Sequence, residues 1–181
     1  MRGPAFQSLA YAPYFDNYLQ YIESNDVQQE LRRSSEGFVS LLKELPESSL
    51  SLRYAPDKWT VAQLVQHVID TEMIFVYRAL SIARDPNELN LRGFDEDTYA
   101  ANAVIDQLRM EEWIAFFDHI RSGTMTLART FSVDQMLKTG VASGYQVRVD
   151  LLLFVSAGHT LHHAKVLKER YLPHIESGLH A

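Results

Sequence analysis

Apolar residues return every three to four positions over four long stretches, the period of helices with one face turned inward. Over 27–45 that face is Leu31, Phe38, Leu41, Leu42 and Leu45, with Asn25 or Asp26 as cap and Pro46 past the end. A second helix starts at Thr60, which forms a capping box with Gln63, while Trp59 is placed to staple onto Leu64. Leu64, Val68, Thr71, Phe75, Arg78 and Ile82 mark one side of it, with His67, Asp70, Ile74 and Tyr77 beside them, until Asp85-Pro86-Asn87 breaks the run. The third covers 105–130 and carries Leu108, Trp113, Phe116, Phe117, Ile120, Leu127 and Ala128, with Ser122-Gly123 as a place to bend. The fourth covers 147–172, and Pro173 is expected to stop it.

Between these, Tyr14, Phe15, Tyr18 and Tyr21 predict a short N-terminal helix over 13–22 laid against the body. Residues 47–58, 90–98 and 132–145 read as connectors rich in Ser, Pro, Gly and Asp, the middle one interrupted by Phe94. No strand pattern or repeat competes. The expectation is all-α: a single domain over 1–181, built as an antiparallel four-helix bundle with a short N-terminal helix, its connectors long enough to permit a crossover.

Composition narrows the function. A chain 46% hydrophobic and 22% charged reads as an ordinary globular one. A net charge of -6 without a basic stripe argues against nucleic acid and against a membrane surface as partners. With no cysteine, a metal has only His and carboxylates to bind, and a reducing cytoplasm is the expected compartment. The first residues lack the apolar core of a signal peptide, and the longest apolar run, 151–155, is too short to span a bilayer.

The chemistry concentrates in 156–171. His159 and His163, four apart on one helical face, can hold one ion between two imidazoles, while His162 projects from a neighbouring face. The Glu of a zinc-peptidase HExxH helix is absent. Two ligands make a weak site. The upstream histidine on a strongly apolar helix is His67, which completes a candidate set of His67, His159 and His163. Three neutral imidazoles leave the ion's charge uncompensated and a coordination position open, as catalytic sites require.

Two stretches resemble a known family. KWTVAQLVQHVIDTE at 58–72 is similar to the KWS…L…H…D.E opening of the second helix of DinB/YfiT-like proteins, and AGHTLHHAKVLKERY at 157–171 resembles the GH…HH…LKERY segment of their fourth. Arg92-Gly-Phe-Asp95 and the Tyr-rich start look like the family too. The resemblance implies a four-helix bundle, often a homodimer, with one Zn(II) or Ni(II) on His67, His159 and His163. The activity it implies is either metal-dependent hydrolysis or thiol S-transfer with a low-molecular-weight thiol. Gly158, where some members carry an aromatic, and Val166, where some carry a further His, are departures.

Other residues carry lesser expectations. Asp70 is either an orienting carboxylate for a ligand imidazole or a solvated one, and His162 reads as a packing, orienting or interface residue. Arg78, Arg92, Asp95 and Tyr145 are candidates to line a pocket for a small-molecule substrate. Glu72, His119, His174 and His180 read as surface, and Trp59 and Trp113 as core. The rival readings are a metal-stabilised bundle that binds a small ligand without turning it over, and a bundle whose histidines are polar core residues with no metal.

Overall fold

The computed structural model describes residues 11–85, 87 and 89–177. A 3-10 turn, Pro13–Phe15, runs into the short helix α1, Asp16–Leu19. Four long helices follow: α2, Val27–Glu44; α3, Val61–Arg84; α5, Met110–Ala128; and α7, Val149–Val166. Asp26 caps α2 by accepting from the amides of Gln28 and Gln29. Thr60 and Gln63 form the expected capping box on α3, with reciprocal bonds of 2.9 and 3.1 Å.

The helices form a ring in which α2 and α3 stand diagonally: each packs on both α7 and α5, and the two make no comparable contact with each other. Hydrogen bonds between helix ends give the directions. Gln28 donates to the carbonyl of Met125 (3.1 Å), which brings the start of α2 to the end of α5. Tyr171, beyond α7, donates to the carbonyl of Trp59 ahead of α3 (2.7 Å), so α3 and α7 are antiparallel. Arg84 donates to Thr130 (3.0 Å), which sets the ends of α3 and α5 together. Thus α3 and α5 run one way and α2 and α7 the other. The chain between α3 and α5 must therefore travel back along the bundle, and that crossover covers the site described below.

The crossover is not a plain loop. It carries β1, Asn90–Leu91, and a short helix α4, Glu96–Asn102, capped by Asp95, which accepts from the amide of Thr98 (2.6 Å). The third long helix consequently begins at Met110 rather than near 105. Its start is held by Glu112, whose carboxylate accepts from the amide of Arg109, and by Glu47, which accepts from that of Met110. It runs unbroken through Ser122-Gly123.

The expected connector 132–145 is corrected most. It forms α6, Val133–Leu137, and a hairpin of β2, Thr139–Ala142, with β3, Tyr145–Arg148. Ser143 and Gly144 close it with positive φ at both positions, as two-residue hairpin turns demand. β2 pairs parallel with β1, in the order β1-β2-β3, so a small sheet accompanies an otherwise helical fold. Pro173 does not end the last helix. A π-helical turn, Leu167–Tyr171, intervenes, the amide of Leu172 reaching back to the carbonyl of Leu167, and α8, Leu172–Ser177, continues through the proline.

The core divides into two apolar clusters. One gathers Phe15, Leu19, Phe75, Ala79, Ile82 and the start of α7; the other gathers Phe38, Leu41, Leu64, Val68, Trp113 and Phe117. Between them, along α3, α5 and α7, lies a layer of buried polar side chains. No helix of the described residues is long and apolar enough to cross a membrane.

Candidate metal centre

His67 faces inward two turns into α3, and His159 and His163 face it from the antiparallel α7. Their side chains converge on one point. The Nε2 atom of His159 lies 2.9 Å from that of His67 and 3.1 Å from that of His163, and ligand atoms of all three fall within 4.8 Å of one another. Two nitrogens held about 2.0–2.1 Å from one tetrahedral ion lie ~3.3 Å apart, so the spacing matches a shared cation.

The donor chemistry also fits. All three residues are buried. Burial pushes His67 down to about 4, and burial together with the neighbouring imidazoles holds His159 and His163 well below the usual range. At neutral pH the rings are uncharged and their lone pairs are free to coordinate. His159 Nε2 has one hydrogen or one lone pair to share between two close partners, whereas a single cation satisfies all three nitrogens together.

Aromatic rings wall the cluster. Trp59 lies 4.6 Å from His67, Tyr18 presents its edge to His159 at 5.1 Å, and His162 stands edge-on to His163 at 5.1 Å. Gly158 makes this possible: a Cβ there would come within 2.4 Å of the carbonyl oxygen of Tyr18. The glycine is what lets α1 settle on α7 and bring Tyr18 to the site.

A cavity of about 1070 Å³ opens beside the cluster, with His159, Thr71 and Phe75 in its lining. The crossover supplies another wall through 92–99, so Arg92 and Asp95 border the cavity, and Arg78 does so from α3. Tyr145 is not among the lining residues; it packs edge-on to Tyr14, which is. Burial raises the phenol of Tyr18 to about 12 and raises the carboxyl of Glu96, itself part of the lining.

The model of one family, the DinB superfamily, matches residues 30–167. The chain belongs to the DinB superfamily. No curated protein matches it. Among solved structures it is similar to YfiT from Bacillus subtilis, described as a probable metal-dependent hydrolase with an unusual four-helix bundle topology, with a TM-score of 0.72 and 17% identity over 87% of this chain and 94% of that one. That likeness establishes the bundle. The three-histidine cluster fits the binding of a metal ion.

Within this DinB bundle the remaining residues singled out in the sequence take the following places, Glu72 and Trp59 against expectation. Glu72 is not a surface residue: it is 1% exposed and bound by Arg121, with Nε 2.9 Å from Oε1 and Nη2 2.7 Å from Oε2. Arg121 also donates to the carbonyl of Leu31, to Ser34 and to Thr160, so one guanidinium ties all four long helices together beside the histidines. Asp70 is half-buried and accepts from Gln66 (2.6 Å) rather than from His67. Trp59 is half-buried against His67 instead of belonging to the core with Trp113. His162 packs against Tyr18 and Tyr21 and is not part of the convergent set. His119 is exposed, His174 is half-buried, and His180 lies outside the described residues.

Proposed function

We propose that the protein is a metal-dependent enzyme, a hydrolase acting on a small-molecule substrate, with His67, His159 and His163 holding one divalent ion. The observation that carries this reading is the meeting of three buried, neutral imidazole nitrogens at the wall of a large open cavity. An ion there supplies Lewis acidity, which lowers the pKa of the water or thiol it binds. An all-imidazole donor set suits Zn(II) or Ni(II).

The chain's own groups do the rest. Tyr18, Trp59 and Phe75 keep the imidazoles oriented and restrict water around them. Thr71 and Arg78 offer polar contacts to a bound molecule, and the protonated phenol of Tyr18 is a donor in the site at neutral pH.

The cavity volume favours a second reading, S-transfer from a low-molecular-weight thiol to an electrophile. At about 1070 Å³ it reaches the upper end of small-molecule pockets, room for a thiol and its acceptor together. Elemental analysis of the purified protein tests both readings: about one divalent ion per chain is expected, falling sharply in His163→Ala. Turnover across esters, amides and thiol-electrophile pairs then separates them. Bound metal with no turnover would favour a ligand-binding bundle, and metal-free protein would overturn the proposal.

A further inference from the structure

Two arginines are deeply buried in this fold, and they are treated in opposite ways. Arg121, 1% exposed, spends its donors on Glu72, Ser34, Thr160 and a backbone carbonyl, and its charge is matched by the Glu72 carboxylate. Arg78, 3% exposed, uses Nη2 alone, donating to the carbonyl of Arg92 (2.9 Å) and the hydroxyl of Ser143 (3.0 Å). Among the described residues no carboxylate pairs with it, and the N–H groups on Nε and Nη1 bond no other residue and are not sealed from solvent. A guanidinium stays charged at any physiological pH, and an uncompensated buried charge is costly. The three acids of the cavity, Asp95, Glu96 and Asp97, do not relieve it: none forms an ion pair with Arg78, the Asp95 side chain caps α4, and the carboxyl of Glu96 acts on Tyr14 and Tyr18.

Arg78 belongs to a stripe. His67, Thr71, Phe75 and Arg78, at intervals of four, four and three, lie on one face of α3, and the last three line the cavity. The Thr71 hydroxyl is buried and has no hydrogen-bond partner among the described residues. Eleven residues of helix rise ~16 Å, and long side chains lean toward the helix N-terminus, so the guanidinium reaches back toward the histidines. Along this face the cavity therefore offers a positive group at one end, an aromatic flank and a free hydroxyl in the middle, and the imidazole cluster at the other end.

We infer that Arg78 is the anchor for an anionic group of the substrate, a carboxylate or phosphate, at the end of the molecule away from the histidines, with an apolar middle lying on Phe75. That the far end is the reacting one rests on the metal-dependent reading; the anion site itself does not.

The test uses hexanoate and hexyl phosphate as probes, with hexan-1-ol as the uncharged control, titrated calorimetrically into metal-free protein at low ionic strength. At least one anion should bind tenfold or more tightly than the alcohol and should shift the Nε–H resonance of Arg78. Arg78→Gln should weaken it at least tenfold, Arg78→Lys should retain part of the affinity, and His163→Ala should leave it unchanged. Equal affinity in Arg78→Gln, no preference for either anion over the alcohol, or loss only in His163→Ala would overturn the assignment. If Arg78→Gln does not fold, the comparison of anion with alcohol and the Arg78 resonance decide on wild-type protein. Intact anion binding in a protein that carries no metal as purified and takes up neither added Zn(II) nor added Ni(II) would refute the enzyme proposal alone.

Discussion

The guanidinium of Arg121 lies side-on to the carboxylate of Glu72, with both side chains almost entirely out of solvent, at 2% and 1% exposure. The pair joins α3 to α5, and Thr124 adds a bond of 2.7 Å to the same carboxylate. Removing one partner leaves the other charge buried and unmatched. Glu72→Ala should therefore lower stability by roughly 3–5 kcal/mol, and the double replacement Glu72→Leu with Arg121→Met by clearly less. Urea unfolding of the three proteins checks this; equal losses in single and double variants would refute it.

Gly158→Ala introduces a methyl group within 2.4 Å of the Tyr18 carbonyl, which is backbone and has little room to yield. Such overpacking costs about 1–3 kcal/mol. The same displacement moves Tyr18 from the edge of His159. Calorimetry should show a lower Tm, and metal affinity should fall although no ligand has changed.

If the three histidines hold an ion, metal binds the folded state and stabilises it by mass action, about 2.7 kcal/mol when free metal exceeds Kd a hundredfold. A chelator should lower the Tm of the wild type. It should have no effect on His67→Ala or His163→Ala, and their melting curves should coincide with and without added zinc.

Acid should destabilise the metal-free protein over a defined window. His67 is held down to about 4 by burial, and His159 and His163 lie well below their usual range for the same first cause. Unfolded histidines titrate near ~6.5, so between that value and the folded pKa the unfolded chain binds more protons. Stability is complete above about pH 6.5 and is lost as pH falls toward 4, by roughly 3 kcal/mol from His67 alone. Tm measured from pH 7.5 to 5 should fall, and His67→Ala should flatten the slope.

Local signals were legible because their partners sit within one helical turn. Asp26, the Thr60–Gln63 box and the His159/His163 spacing all act over two to four residues, and each appears where the sequence places it. Short elements were not legible. The helix at Glu96–Asn102 and strands of two to four residues cover at most about two repeats of their period, too few to reveal them, and the hairpin could be suspected only from Ser143-Gly144. Pro173 misled because the turn before it widens to π and α8 begins at Leu172, which puts the proline in a first turn, where its missing amide costs no bond.

The amino-acid order alone was enough for four long helices and for a candidate ligand set, since helical propensity and residue chemistry are local properties; it did not show that α7 is buried on every side from Leu151 to Thr160 rather than along one face. Burial of Glu72 was not readable, because α3 packs on both α7 and α5 and so has two buried faces where a single apolar stripe suggests one. Its partner Arg121 stands 49 positions away on a helix whose placement depends on the crossover. Folding alone decided which charge is matched, as for Arg121, and which is left facing a cavity, as for Arg78, since neutralisation depends on distances between chain segments that no spacing along the sequence encodes.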